Sequence, residues 1–337
     1  MNVFSDFHHE DLYYSLGLLF QKRLGWSLYR PIGMDWFYEG YWKINNLEET
    51  ARQYLEVGWE PVDKTLPLNE ATSSPWIVRD LHNNSYQETM TLDLFKKTNI
   101  DIVIASIPAH IEPFKKLAAE KGAKFIFQAG NVFPEVDYTT IPNLMANTLP
   151  PYPPTHTIQY HQEFDLNIYK PTSLPPKREI NSFINVYHAN AGFEDYMTLK
   201  SMMSDFTFHS YGAQNQDGVL NTTQDIAACI RDSYFVFQSK RMGDGYGYGL
   251  YTAFACGKPV ITRISDYKGK LGEELLEDGV TCIDLDNNDY NRVQYSISTM
   301  SPAKYSYMSQ QVYERFQEKV NFDQEEVKIR EFLDNLV

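Results

Sequence analysis

The sequence predicts an α/β protein of two domains, each built around a parallel sheet. Its 337 residues exceed what one ordinary hydrophobic core organises and fit two domains of about 150 residues each. In both halves of the chain, short apolar segments alternate with segments of helical period, which is the βαβ pattern of a parallel sheet. A proline-rich stretch at residues 149–176 separates the halves and marks the predicted domain boundary.

The predicted elements follow this alternation from end to end. The first half is expected to form strands at residues 2–4, 100–107 and 124–127 and helices at residues 12–24 and 114–121. The second half is expected to form strands at residues 180–187, 206–211, 234–238, 259–262 and 280–283, and helices at residues 193–203, 223–233, 250–256 and within 266–276. We therefore predict domains at residues 1–150 and 151–322, followed by an amphipathic helix at residues 323–337.

Composition excludes several classes of protein. The 30 basic and 44 acidic residues give a net charge of −14, which argues against a surface that grips nucleic acid throughout. The sequence has neither an apolar run long enough to span a bilayer nor a secretory signal, so a cytoplasmic protein is expected. Cys229, Cys256 and Cys282 lie far apart without a CxxC pair, as expected for buried thiols rather than a zinc site.

A glycine-rich stretch, GDGYGYG at residues 243–249, carries the strongest functional signal. Its spacing fits neither the dinucleotide fingerprint G-x-G-x-x-G nor the P-loop. It does connect a predicted strand to the N-terminus of a predicted helix near Tyr248, and Lys240 and Arg241 precede it. Free N–H groups, the helix dipole and two cations favour a phosphate or diphosphate at this point, whereas a solvated glycine turn is the structural alternative.

The same stretch resembles a known family. DGYGYGLYTAFACGKPVI resembles the EGFGLxxxEAMACGxPVV segment of GT-B-fold glycosyltransferases of the group-1 type. Three further segments are similar to that family in the same order: residues 163–171 to NGVDxxxFxP, residues 226–239 to the stretch that ends in PS, and residues 276–282 to dGxtGxLv. The resemblance covers about residues 160–285, and the first half matches only in its pattern of elements.

The resemblance implies a GT-B fold, with two Rossmann-like α/β domains facing across a cleft. It implies a hexosyl- or pentosyltransferase that takes its sugar from a nucleotide-sugar, most often a UDP-sugar, bound by the C-terminal domain, with the acceptor on the N-terminal side. It also implies that the last helix packs back on the N-terminal domain. The donor-binding residues expected on this basis are Ser239, Lys240, Arg241, Gly243, Gly245, Tyr246, Gly247, Tyr248, Gly249 and Thr252.

Two positions depart from the family's E-x7-E motif. Asp244 stands where the first glutamate contacts the donor sugar, and Thr252 stands where the second holds the ribose hydroxyls. The loop at residues 188–192 also lacks the Arg and Lys that usually hold the diphosphate, a role that Lys240 and Arg241 are expected to assume.

The catalytic candidates are Asp6, His8 and His9 in the loop after the first strand, together with Asp244. An inverting enzyme needs such a base for the acceptor hydroxyl, whereas in a retaining enzyme the departing phosphate takes the proton. His110, after the strand at residues 100–107, is a further candidate. The D-x-D at residues 284–286 is interpreted as a turn, and a metal-independent reaction without a cofactor is expected.

The acceptor and the occurrence of turnover remain open at this point. The acceptor is a saccharide or lipid-linked glycan or, as in phage-type DNA glycosyltransferases, a hydroxymethylated base in DNA. Thr252 instead favours a non-catalytic nucleotide-sugar-binding protein, and an epimerase of the same fold is a weaker alternative. The tyrosines and tryptophans of the first half are expected mainly in its core rather than stacked on a ligand.

Overall fold

The structure is a computed structural model of the chain. It describes residues 1–7, 9–33, 38–42, 47–56, 58–62, 75–131, 133–147, 156–187, 192–240, 246–287 and 289–336. These residues form two compact units. Unit one comprises Met1–Ala146, Pro150–Glu163 and Phe322–Val337, and unit two comprises Asn147–Leu149 and Phe164–Asn321.

Unit one is organised around a nine-stranded sheet, counted over the described residues, in the order β3-β4-β5-β2-β1-β6-β7-β8-β9. Its strands are β1 (Asn2–Ser5), β2 (Ser27–Pro31), β3 (Trp59–Pro61), β4 (Trp76–Asp80), β5 (Ser85–Met90), β6 (Ile102–Ala105), β7 (Lys124–Ala129), β8 (Asn143–Met145) and β9 (Thr157–Gln159). The β3–β4 and β4–β5 pairs are antiparallel, and the other neighbours are parallel. The inner strand β6 is buried at every position, as its IVIA sequence requires.

The helices of unit one are α1 (Glu10–Gly17), α2 (Tyr38–Tyr41), α3 (Leu47–Glu56), α4 (Leu92–Lys97), α5 (Pro108–Lys121) and α11 (Phe322–Asp334). Two predictions need correction here. The single helix expected at residues 12–24 is α1 followed by a π-helical turn at Leu18–Arg23. The helix expected at residues 114–121 already begins at Pro108, because proline is favoured in the first turn. It ends at Lys121 as predicted, and Gly122 follows with φ = +64°.

Unit two has a five-stranded, entirely parallel sheet in the order β11-β10-β12-β13-β14. Its strands are β10 (Glu179–Ser182), β11 (Thr207–Ser210), β12 (Phe235–Phe237), β13 (Val260–Thr262) and β14 (Cys282–Asp284). The prediction of a strand over residues 180–187 was wrong in length, since pairing with both neighbours stops at Ser182.

The helices of unit two are α6 (Phe193–Met202), α7 (Thr223–Asp232), α8 (Tyr248–Ala255), α9 (Tyr290–Ser298) and α10 (Pro302–Lys319). Thr222 caps α7 by accepting a hydrogen bond from Asp225 N, in agreement with the predicted start. The α-helix expected within residues 266–276 is replaced by two 3₁₀ turns, Ile264–Tyr267 and Leu271–Leu275. Throughout the described part of the chain, every helix is too short or too polar to cross a membrane.

Helix α11 belongs to unit one although it follows unit two in the chain. The backbone N–H of His161 donates to Glu325 Oε2 at 2.8 Å, and His161 Nδ1 lies 2.6 Å from Glu325 Oε1. Arg23 bridges Glu163 at 2.6 Å and Asp323 at 2.5 Å. Lys124 Nζ also donates to the carbonyl of Leu333 at 3.0 Å. Polar contacts to β7, to the segment after β9 and to the π-helical turn therefore hold α11 in place.

We predict that Glu325→Ala lowers the free energy of unfolding of unit one by about 1–3 kcal/mol, because a half-buried backbone N–H and an imidazole lose their acceptor. All five tryptophans (Trp26, Trp36, Trp42, Trp59 and Trp76) lie in unit one, so urea unfolding followed by tryptophan fluorescence reports on this unit.

The matched control is Glu331→Ala, an exposed glutamate of the same helix. Its effect should stay within about 0.5 kcal/mol. Equal effects of the two substitutions would show that the contacts to His161 do not stabilise unit one.

Candidate functional site

The carboxyl edge of the unit-two sheet contains the crevice at which ligands of such sheets bind. Strands β10 and β12 are neighbours, but the chain leaves β10 toward β11 on one side and continues from β12 toward β13 on the other. This reversal of strand order opens a crevice outside the carboxyl ends of β10 and β12. The predicted donor-binding residues follow β12 directly, so the fold brings that part of the sequence to this edge.

The loops after β10 and β12 meet backbone to backbone. Gly192, which precedes α6, donates its N–H to the carbonyl of Ser239 at 2.9 Å. A Cβ atom at Gly192 would lie 2.8 Å from Ser239 Oγ and 2.9 Å from Ser239 Cβ. Such distances are too short for a side chain, so glycine at position 192 permits this approach.

Helix α8 begins at the crevice. Gly247 precedes it with φ = +79°, a conformation that glycine adopts readily, and accepts the N–H of Leu250 at 2.8 Å. The Tyr246 ring stacks on Tyr251 with centroids 4.4 Å apart, which fixes the entry of the chain into the helix. The N-terminus of α8 thus presents its partial positive charge at the carboxyl edge of the sheet.

The structure describes some of the predicted donor residues. Ser239 is buried and Lys240 is half-buried, and both follow β12. Gly249 packs against Gln238, since a Cβ atom added at Gly249 would lie 3.0 Å from Gln238 Oε1. Tyr246 is buried, whereas Tyr248 is half-buried with its ring 5.6 Å from that of Phe164. Arg241, Gly243, Asp244 and Gly245 lie outside the described residues.

Thr252 is 2% exposed, and its hydroxyl lies 3.1 Å from the carbonyl of Tyr248 and 3.2 Å from that of Gly249. It therefore donates within its own helix, one turn from the N-terminus. A glutamate at this position would reach beyond the helix, and the threonine does not.

An ion pair that sequence reasoning missed, with a buried carboxylate, lies at the carboxyl edge of the unit-two sheet. Asp195 of α6 is 1% exposed and accepts two hydrogen bonds from Arg263, at 2.8 Å from Nε and 2.7 Å from Nη2. The Tyr290 hydroxyl donates to the same carboxylate, and Ser239 Oγ lies 3.5 Å from it. Hydrogen bonding to Asp195 raises the pKa of Arg263, so the guanidinium stays charged. No local motif marks this pair, since the two residues are 68 positions apart.

Asp266 is a second residue that sequence reasoning did not single out. It follows β13 in the 3₁₀ turn Ile264–Tyr267, and among the described residues its Oδ2 is buried without a hydrogen-bond partner. Burial, and then the negative charge of Asp286, raises the pKa of Asp266 to about 6. A carboxyl group with a raised pKa at the carboxyl edge of such a sheet is typical of functional sites.

The turn at residues 284–286 fixes the backbone rather than presenting free carboxylates. Asp284 Oδ1 accepts the N–H groups of Ile264 at 3.1 Å and Asp286 at 3.0 Å, and Asp286 Oδ2 accepts that of Ser265 at 2.8 Å. Within the described ranges, no group of three or more His, Cys, Asp or Glu side chains could hold a metal ion. Metal independence of the reaction stays a prediction.

Unit one has its own reversal of strand order, between β1 and β6. Asp6, directly after β1, is 2% exposed and lies 2.8 Å from His110 Nδ1 in the first turn of α5. It also accepts both the backbone N–H and the hydroxyl of Ser106, each at 2.7 Å. The structure thus joins two predicted candidates, Asp6 and His110, that are 104 positions apart. His9 is exposed at the start of α1, and His8 lies outside the described residues.

No protein-family model and no curated protein sequence matches the chain. Among solved structures, HepE from Anabaena, in complex with UDP, matches with a TM-score of 0.65 over 100% of both chains at 11% identity. A glycosyltransferase from Rickettsia africae matches with a TM-score of 0.63 over 99% of this chain and 98% of that chain at 12% identity. TarM matches with a TM-score of 0.58 over 99% of both chains at 10% identity. This likeness confirms the GT-B fold predicted from the sequence.

We predict that Asp266→Asn changes the pH dependence of stability. The folded-state pKa of about 6 lies above the ordinary aspartate pKa of 3.8, so the folded state binds more protons than the unfolded state between these values. This carboxyl group therefore makes the protein less stable as the pH rises from about 4 to 6. The amide lacks that effect, so the melting temperature of the variant minus that of the wild type should increase over this range.

The measurement is a thermal melt of both proteins at half-unit intervals from pH 4 to 7. A difference in melting temperature that stays constant with pH would contradict the raised pKa. Because both proteins share every other titrating group, the difference isolates Asp266.

Proposed function

We propose that the chain is a glycosyltransferase that moves a hexosyl or pentosyl group from a UDP-sugar to an acceptor hydroxyl, without a metal ion. The observation that carries the proposal is the crevice of unit two, where Gly192 and Ser239 meet and Gly247 starts α8. HepE, which shares the fold over its whole length, has been solved with UDP and with UDP-glucose. Crevices of this kind bind phosphates through helix N-termini.

Departure of UDP requires that the negative charge developing on its diphosphate be stabilised. The N-terminus of α8 and the ammonium group of Lys240 supply positive potential from one side of the crevice, and Arg241 is proposed to add a second cation. These groups also bind the diphosphate before reaction. They accelerate transfer only to the extent that they bind the leaving group more tightly in the transition state.

The sugar and the nucleoside are proposed to contact the same segment. Asp244 would contact the donor sugar, and Gly243 and Gly245 would let the backbone approach it. Since the Thr252 hydroxyl donates within α8, the proposal assigns the ribose to other groups, among them the half-buried Tyr248. Asp195 and Arg263 act as positioning residues, because their ion pair connects α6 to the segment after β13.

The acceptor proton is the second chemical requirement. The contacts of unit one support Asp6 acting through His110, whereas His8 and His9 remain candidates from the sequence alone. If the departing phosphate takes the proton, the reaction retains configuration and neither residue is needed as a base. The acceptor itself is proposed to be a glycan hydroxyl, since a net charge of −14 disfavours the DNA alternative.

We predict that UDP binds the protein and that Lys240→Ala weakens this binding about 10- to 100-fold, as expected for loss of a charge-assisted hydrogen bond of about 1.5–3 kcal/mol. Isothermal titration with UDP, GDP, dTDP, ADP and CMP measures this, with Asp244→Ala tested in parallel against UDP-glucose. Lys328→Ala, which removes an exposed lysine from α11, is the control of equal charge change.

Two outcomes of the titration would overturn the donor assignment. One is that none of the five nucleotides binds the wild type. The other is that Lys240→Ala and Lys328→Ala bind UDP equally well, which would locate the phosphates elsewhere.

We also predict that Asp6→Asn lowers turnover of UDP-glucose at least about 100-fold, as is usual for loss of general-base catalysis, while UDP affinity stays unchanged. Turnover is measured as UDP release in the presence of a glycan panel, over pH 5 to 9. A variant that folds, binds UDP and retains its turnover would contradict a role for Asp6 and favour the retaining route.

A second candidate function rests on Thr252, whose hydroxyl does not reach out of its helix. A non-catalytic nucleotide-sugar-binding protein of the same fold would bind UDP-glucose without releasing UDP. Binding of UDP-glucose with no UDP release, across the whole acceptor panel and pH range, would favour this candidate over the transferase.

A further inference from the structure

A cavity lies on the side of the unit-two sheet where its strands begin, opposite the crevice. It has a volume of about 740 Å³, in the range typical of small-molecule sites. Its walls are the proline-rich residues 171–176, the turn at residues 256–258 and the first three turns of α10. This turn immediately precedes β13, so the cavity lies at the amino end of the strand, opposite the crevice.

The end of α8 places Lys258 in this cavity. Gly257, with φ = +66°, follows the helix, and its N–H donates to the carbonyl of Phe254 at 2.9 Å. The N–H of Lys258 donates to the carbonyl of Ala253, also at 2.9 Å. These bonds close the helix in a Schellman-type cap. Lys258 lines the cavity although it is only 5% exposed.

The ammonium group of Lys258 has no hydrogen-bond or ion-pair partner anywhere in the described part of the chain. The charge of Asp232 acts on Lys258, but the carboxylate of Asp232 forms its ion pair with Lys177, at 2.6 Å. Arg178, the other cation that lines the cavity, pairs with Asp205. Burial raises the pKa of the Cys256 thiol to about 12, so Cys256 is neutral and supplies no counter-charge.

Lys258 nevertheless carries its charge at neutral pH. Burial lowers its pKa to about 8, which still leaves most molecules protonated at pH 7. Burial of the Lys258 side chain disfavours its charged form, and an anion in the cavity would offset that cost. The site therefore favours a ligand with one negative group rather than a phosphate dianion, since Lys258 is the one unpaired cation among the cavity residues described.

The rest of the cavity is suited to an apolar body. Tyr234 and Tyr305 stack with ring centroids 4.1 Å apart, and prolines at 171, 175 and 176 also line the cavity. Ser306 and Gln310 of α10 add polar groups. Aromatic and proline walls around one unpaired charge are typical of pockets for small amphiphilic ligands.

We propose that this cavity binds a small carboxylate with an aromatic or apolar body, whose carboxylate pairs with the ammonium group of Lys258. The site is separate from the proposed donor crevice and does not depend on the transferase assignment. Helix α8 lies between the two, with its N-terminus at the crevice and its C-terminus at the cavity.

The test compares two ligands that differ only in charge. Isothermal titration of the full chain with 4-phenylbutyrate should show binding, and 4-phenylbutyramide should bind at least 10-fold more weakly. Lys258→Met should weaken phenylbutyrate at least 10-fold. Lys304→Met, which removes an exposed lysine of α10, should leave its affinity unchanged.

A second readout does not need the variant. Phenylbutyrate should slow the modification of Lys258 by an amine-reactive reagent, measured by mass spectrometry of tryptic peptides, and should leave modification of Lys304 unchanged. The proposal is overturned if phenylbutyrate does not bind at millimolar concentration, if Lys258→Met binds it as well as the wild type, or if it does not protect Lys258.

Discussion

The buried carboxylate of Asp195 is the interaction on which the geometry of unit two depends. It lies in the first turn of α6 and receives hydrogen bonds from Arg263 after β13 and from Tyr290 of α9. One side chain thus connects two helices to the end of a strand. A buried carboxylate is tolerable because its oxygens are hydrogen-bonded, and removing Arg263 would leave an uncompensated charge in the interior. The pair thereby joins α6, α9 and the segment after β13 at the carboxyl edge of the sheet.

Local sequence was sufficient to predict the parts of the fold that local physics determines. Neighbouring residues alone determine several of its elements. Examples are the apolar run IVIA at β6, the Thr222 cap of α7 and Gly122 after α5. The interval at residues 266–276 was misread, because its apolar spacing suits a helix while the structure forms two 3₁₀ turns. The first of these turns is held by a distant acceptor instead, since Asp284 Oδ1 accepts the N–H of Ile264.

The site was predictable only in part, because some of its contacts join residues that lie far apart in the sequence. The glycines and cations after β12 are close together in sequence, so a motif could identify them. Three of the predicted donor residues, Arg241, Gly243 and Gly245, lie outside the described residues, as does the catalytic candidate Asp244. Asp195 with Arg263, and Asp6 with His110, are pairs formed across 68 and 104 positions. Single residues of common types carry no signal until the fold brings them together. The sequence marked Asp6 and His110 separately but could not show that one holds the other.

The position of α11 has a consequence for biosynthesis. Unit one needs residues up to Glu163 and then Phe322–Val337, so the whole of Phe164–Asn321 is translated between its two parts. At ordinary elongation rates of about 5–20 residues per second, this interval takes roughly 10–30 s. During that time the surface that includes His161 and Arg23 has left the ribosome without the helix that later covers it. The fold of unit one therefore cannot be completed until α11 has been synthesised.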